Sequence, residues 1–223
     1  MRILILASGG GGSLRFLYRA LPLIGAASRV VGVIADRDCG AVASARTLGL
    51  PTVVVAYERS APAALREAIV RLAPDIVVTN FHKLIDAETL KLARFINLHY
   101  SLLPAFAGLF PLQVVRAARQ AGAGFIGATC HEVDESVDGG PILGQAMFPA
   151  DWNHDDSEIL DLTFRSAGLV LLSCLQAIED QPAVSSEITI CGQTVSINPG
   201  LSADHDLFDE TFWRAVKAGN LPA

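Results

Sequence analysis

Asn97, Leu98 and His99 close an apolar run that opens at Phe95, and the run reads as a short buried strand. Side chains two apart on a strand project to the same side, so Asn97 and His99 leave its end together. One is an amide donor, the other a titratable ring. Further along, Asp138-Gly139-Gly140-Pro141 sets a lone carboxylate on a glycine-softened loop. An amide, an imidazole and a carboxylate form a set suited to acyl transfer. The same spacing also fits a polar strand end beside an ordinary turn, and the residues alone leave both readings open.

The elements that must position these groups follow from the apolar pattern. Short apolar runs alternate with amphipathic segments in a βαβ rhythm through about residue 100. Arg2–Ala7, Arg29–Ala35, Thr52–Val55 and Ile76–Thr79 read as parallel strands, with helices near Ser13–Leu23, Gly40–Leu48 and Ala61–Leu72. After the Pro104–Pro111 loop the pattern predicts a helix at Leu112–Ala121, then strands near Phe125–Val133 and Ile142–Phe148. Asp155 or Ser157 would cap a long helix running to about Ile178. Cys191-Gly192-Gln193 reads as the turn of a hairpin, and Asp209–Ala218 as a peripheral helix. The predicted fold is α/β, a Rossmann-like open and mainly parallel sheet flanked by helices, with a small C-terminal hairpin. Two regions are expected, an α/β domain over residues 1–180 and a hairpin with its tail over 181–223.

In an open parallel sheet the ligand crevice lies beyond the carboxyl ends of the strands. The Gly loop after the first strand, Asn80–Ile85 and His99–Gly108 all fall at such ends. Ser8-Gly9-Gly10-Gly11-Gly12-Ser13 follows a strand and opens a helix, so its backbone N–H groups can approach an anion. A tight turn without a ligand is the alternative reading of the same glycines. Leu14 and Arg15 stand where a Gly-x-Gly-x-x-Gly register needs its third glycine, and no Gly-Lys-Ser/Thr follows. These absences count against dinucleotide and nucleoside triphosphate binding, although Asp36 near the end of the second strand suits the former.

Composition removes other classes. A net charge of −6 argues against a nucleic-acid surface. Apolar stretches are strand-length or broken by polar residues, which gives no transmembrane helix and no expected membrane partner. Cys39, Cys130, Cys174 and Cys191 are widely spread, a poor pattern for a metal site or a disulfide framework. A cytoplasmic protein without a metal is the expectation, with a homodimer left open.

Three motifs in order resemble the folate-dependent formyltransferase family: Asn97-x-His99-x-Ser-Leu-Leu-Pro-x-Phe-x-Gly108, Gly127-Ala-Thr-Cys-His131, and Val137-Asp-Gly-Gly-Pro-Ile-Leu143. The resemblance runs from residue 1 to about residue 180 and is nearest to the glycinamide ribonucleotide and deformylase branches. It implies 10-formyltetrahydrofolate as co-substrate and Asn97, His99 and Asp138 as the catalytic positions. By it, Asn97 donates to the formyl oxygen, protonated His99 stabilises the oxyanion, and Asp138 tunes His99 and helps accept the amine's proton. It implies that Phe81, Lys83, Leu84 and Ile85 line the folate slot, with Val133, Asp134, Glu135 and Val137 in the loop that reads the pterin edge. Gly10, Gly11, Gly12 and Ser13 would hold the acceptor's phosphate, with His82 beside the acceptor.

The sequence departs from that pattern on the acceptor side. Gly12 and Ser13 replace a Ser-Asn pair, His82 replaces an apolar Met, and Phe164-Arg165-Ser166-Ala167-Gly168 lacks a ribose-binding Glu. The expectation is therefore formyl transfer from 10-formyltetrahydrofolate to a small-molecule amine, with the acceptor's identity open. Hydrolysis of the same donor is the first alternative, and a non-catalytic folate-binding protein the remote one.

Overall fold

The computed structural model describes residues 1–218. The last five residues of the expected 181–223 extension lie outside the described residues. The architecture is α/β, with a mainly parallel sheet flanked by helices and nine strands among the described residues. The chain forms two compact units. Residues 1–97, 133–136 and 206 onward make the first; 98–132 and 137–205 make the second.

In the first unit β1 (Arg2–Ala7), β2 (Arg29–Ala35), β3 (Thr52–Val54), β4 (Ile76–Asn80) and β5 (Arg94–His99, here through Asn97) run parallel in the order β3-β2-β1-β4-β5. Ile3, Leu4, Ile5 and Leu6 are all essentially inaccessible, because a parallel strand with helices on both faces buries every side chain. This is why β1 reads as a continuous apolar run rather than an alternating one. The helices are α1 (Gly12–Leu23), α2 (Gly40–Thr47), α3 (Ala63–Leu72) and α4 (Ala87–Leu90), joined by α7 (Glu210–Ala218) from the far end of the chain.

That last helix corrects the expectation of a peripheral element. Trp213 stacks on Phe16 of α1 at 5.4 Å between centroids, Phe208 and Phe212 close around them, and Val216 is fully buried. A Trp and two Phe carry too much apolar area to stay in water, and α1 offers them a face. The signal was in the sequence, in the aromatic spacing of the segment itself.

The second unit is antiparallel. β6 (Phe125–Glu132), β7 (Ile142–Pro149), β9 (Gln193–Leu201) and β8 (Ser185–Ile190) follow in that order. The hairpin β8–β9 turns through Cys191-Gly192, both with positive φ, the backbone a two-residue hairpin needs. Its second strand, β9, pairs with β7. α5 (Pro111–Gln120) begins one residue earlier than predicted, with Pro111 in the first helical position, where its missing N–H costs nothing. α6 (Asp156–Ile178) is capped by Asp155, whose side chain accepts from Ser157 and Glu158 N–H while Glu158 reaches back to the cap. Its middle is buried all round, as it packs on β6, β7 and β9 and against α5.

Candidate active site

β5 carries Asn97 and His99 two residues apart, as the strand pattern predicted. Thr79, one residue from the end of the neighbouring β4, donates its hydroxyl to Asn97 Oδ1 at 2.9 Å. That bond orients the amide, committing its oxygen to Thr79 and turning its N–H₂ end the other way. Thr79 was not among the expected site residues, yet a polar side chain in Ile-Val-Val-Thr-Asn was a legible signal.

His99 is 7% exposed, and each ring nitrogen faces an acceptor. Nδ1 lies 3.2 Å from Asp138 Oδ2, and Nε2 lies 3.2 Å from the Phe106 carbonyl oxygen. A carbonyl only accepts, so Nε2 carries a proton in this arrangement. Asp138 is held in turn by the Gly108 N–H, which donates to Oδ2 at 2.8 Å, and by His131, whose Nε2 stands 3.7 Å from Oδ1. His131 is buried at 2% exposure with Nδ1 2.8 Å from the Glu132 carbonyl. Two histidines thus flank one carboxylate.

Two residues of this group have a left-handed backbone, Phe106 at φ 59° and Asp138 at φ 51°. Neither is glycine, and such conformations persist only where the surroundings impose them. At Phe106 the conformation aims the carbonyl at His99. At Asp138 it aims the carboxylate at both histidines. Nothing in a side-chain pattern reveals a carbonyl's direction.

Burial pushes His99 below the ordinary histidine pKa, against the upward pull of the Asp138 carboxylate and the Phe106 carbonyl, while the neighbouring His131 pushes the same way as burial. Burial would raise Asp138, but hydrogen bonds from His131 and Gly108 and the charge of the two rings hold it below the usual carboxylate range. Asp138 is therefore ionised at neutral pH, and the imidazolium beside it is a stronger acid than free histidine.

The residues expected to line the folate slot take different places. Phe81 and Val133 are half-buried against a cluster of the first unit that contains Tyr57, Ile85 and Phe95. Ile85, 2% exposed, is core rather than lining. Leu84 is exposed, and Lys83 Nζ is engaged by the Tyr57 carbonyl at 2.6 Å and Glu58 at 2.7 Å. In the loop after β6, Glu135 pairs with Arg59 and Asp134 accepts from the Ser136 N–H in an Asx turn. Val137, in the second unit, is exposed.

The Gly loop opens α1. Gly11 is its N-cap at φ 76°, and the first helical bond runs from Arg15 N to Gly11 O, so Gly12, Ser13 and Leu14 stand in the turn whose N–H groups helices leave for an anion. Gly10 is exposed and Ser13 is buried. Arg15 is no spare cation. It donates to the Gly10 carbonyl, the Ser44 hydroxyl and the Val216 carbonyl. His82 is exposed, and its N–H donates to Ser8 Oγ at 3.1 Å, tying the loop after β4 to the end of β1. In α6, Arg165 and Ser166 are buried, with Arg165 paired to Asp161.

Parallel strands in the first unit, antiparallel strands in the second and a buried histidine between a carboxylate and a carbonyl give an α/β protein with an acid–base group at a strand end. The chain belongs to the formyl transferase family, whose model matches residues 1–173. It is 38% identical over 168 residues to a phosphoribosylglycinamide formyltransferase of Mycobacterium tuberculosis, covering 71% of this chain and 75% of that one. A chloroplastic phosphoribosylglycinamide formyltransferase of Arabidopsis thaliana is 30% identical over 157 residues, covering 65% of this chain and 54% of its relative. The chain thus matches about half the length of that relative. Among solved structures, glycinamide ribonucleotide transformylase 1 from Symbiobacterium toebii superposes with a TM-score of 0.73 at 27% identity, over 88% of this chain and 93% of that one.

Proposed function

We propose that this chain transfers a formyl group from 10-formyltetrahydrofolate to the amine of a small molecule, with Asn97, His99 and Asp138 as its catalytic residues. The observation that carries the proposal is the clamp on His99: a buried imidazole with both nitrogens on acceptors, in a chain of the formyl transferase family. The half-buried apolar edge of Phe81 and Val133, beside exposed Leu84, suits a flat heterocycle. When bound, the folate supplies the formyl carbon, which passes to the acceptor nitrogen as that nitrogen loses a proton. Asn97 donates its N–H₂ to the formyl oxygen. His99 turns its Nε2–H from the Phe106 carbonyl to the same oxygen. The Asn97 amide, oriented by Thr79 before reaction, need not reorganise as charge develops, which is where such a group gains its effect. Asp138 orients His99, balances the ring's charge when it is protonated and, through water, takes the proton the amine sheds.

Backbone N–H groups at Gly11, Gly12 and Ser13, with Gly10 before them, favour an anionic group on the acceptor. The missing Ser-Asn pair, exposed His82 and the buried Arg165 stretch of α6 argue against glycinamide ribonucleotide as the preferred amine. Steady-state kinetics with purified glycinamide ribonucleotide, and with no amine, test the reading. Turnover that needs an amine, with a specificity constant for glycinamide ribonucleotide below about 10⁴ M⁻¹s⁻¹, is the expected result. A constant above that restores the ribonucleotide as acceptor. Formate release indifferent to amine replaces the transferase with a hydrolase.

A further inference from the structure

The segment Phe81–Asp86 connects β4 to the short helix α4 and has no regular structure of its own, so no ladder fixes its backbone. It is nevertheless held, and most of what holds it is one residue. Tyr57, 1% exposed, lies in the connection between β3 and α3. Its hydroxyl donates to the Leu84 carbonyl at 3.1 Å and accepts from the Asp86 N–H at 3.2 Å. Its ring meets the Phe81 ring with centroids 5.5 Å apart, and its carbonyl accepts from Lys83 Nζ at 2.6 Å. Ring, hydroxyl and carbonyl thus grip the segment at its start, middle and end.

A core residue needed only for volume would not use its hydroxyl this way. Phe would fill the same space, and the Leu84 carbonyl and Asp86 N–H would lack that partner. We infer that Tyr57 is a positioning residue for the folate slot, setting the segment that presents Phe81 and Leu84. The inference rests on the reading of that segment as part of the folate site. Tyr57 is itself buried. It acts through the backbone of residues 84–86, and the consequence belongs to folate affinity rather than to the chemical step.

Tyr57→Phe separates the two roles because it keeps the ring and removes only the hydroxyl. The readouts are calorimetric titration of the full chain with tetrahydrofolate and hydrogen exchange of backbone amides, with Phe81→Ala titrated in parallel. The expected result is a dissociation constant raised about three- to tenfold by Tyr57→Phe, the scale of one buried hydrogen bond. Faster exchange confined to residues 84–86 should accompany it. A purely structural role lowers the folded fraction and speeds exchange throughout, but leaves the dissociation constant of the folded molecules unchanged. Wild-type affinity in Tyr57→Phe while Phe81→Ala binds weakly overturns the positioning role. Weaker binding in Tyr57→Phe without local exchange overturns it equally. Wild-type affinity in Phe81→Ala removes the segment from the folate site, and the folate reading of that segment falls first.

Discussion

His99 concentrates the chemistry of this chain in one ring, and its contacts decide which of its properties matters. A histidine with one acceptor at one nitrogen would be neutral in its buried place, since burial disfavours the charge. Acceptors at both nitrogens, 3.2 Å away on each side, make the charged form the better bonded one. The outcome is a poised acid, depressed in pKa yet supplied with a counter-charge. Replacing His99 with Ala is expected to lower turnover by about two to four orders of magnitude, the range for one positioned acid–base or oxyanion group. Tetrahydrofolate affinity should stay near the wild-type value. Steady-state rates together with titration check both halves, and near wild-type turnover would remove His99 from the reaction.

Among the elements, the turn that opens α1 is constrained in two ways at one residue. Gly11 sits at φ 76°, and a Cβ there would stand 2.7 Å from Ala41 Cα, closer than real contacts allow. The two objections are independent: a left-handed residue costs about 1–2 kcal/mol by itself, and the clash is with the backbone of α2 rather than with a yielding side-chain tip. Gly10 and Gly9 meet nothing within 4 Å and lack positive φ, so their small size is not a packing demand. Gly11→Ala is therefore expected to destabilise the protein by more than about 1–2 kcal/mol, and Gly10→Ala by less than half as much. Urea unfolding of the two variants checks the contrast, and equal midpoints would contradict it.

For the whole molecule, acid stability follows from carboxylates held in the folded state. Asp86 is the strongest case. Burial would raise its pKa, but bonds from Thr89 and the Arg66 guanidinium bring it down to about 2 from 3.8. A depressed carboxylate contributes stability that is complete above its unfolded pKa and is lost as pH falls through the folded one. Between pH 3.8 and about 2 the unfolded chain binds a proton that the folded chain refuses, so stability falls there. Asp138 adds to the same acid loss, as its folded value also lies below the ordinary one. His99, depressed as well, weakens the fold as pH drops below the ordinary histidine value, since the unfolded ring is then charged first. Asp86→Asn should flatten the pH dependence of unfolding between about pH 4 and 2, with the fluorescence of buried Trp213 as the signal. An unchanged slope in that window would mean Asp86 is not held as described.

The sequence by itself determined the order of elements, since apolar runs and their punctuation place β1, β2 and the antiparallel β6 and β7 to within a residue or two. It also determined that Asn97 and His99 share a strand end, because a period of two is a property of the backbone. Aromatic spacing at Phe208, Phe212 and Trp213 marks the apolar face of the α7 segment in the sequence itself. What only the tertiary structure decided is where nonlocal partners fall. Nothing local says that the Phe106 carbonyl turns onto His99, that Thr79 fixes the Asn97 amide, or that Tyr57 holds Leu84 and Asp86 across a gap of 27 and 29 residues. The first depends on the left-handed φ of Phe106, and the others on tertiary placement of residues distant in sequence. A side-chain pattern records what a residue is, and the packed chain alone records what its backbone faces.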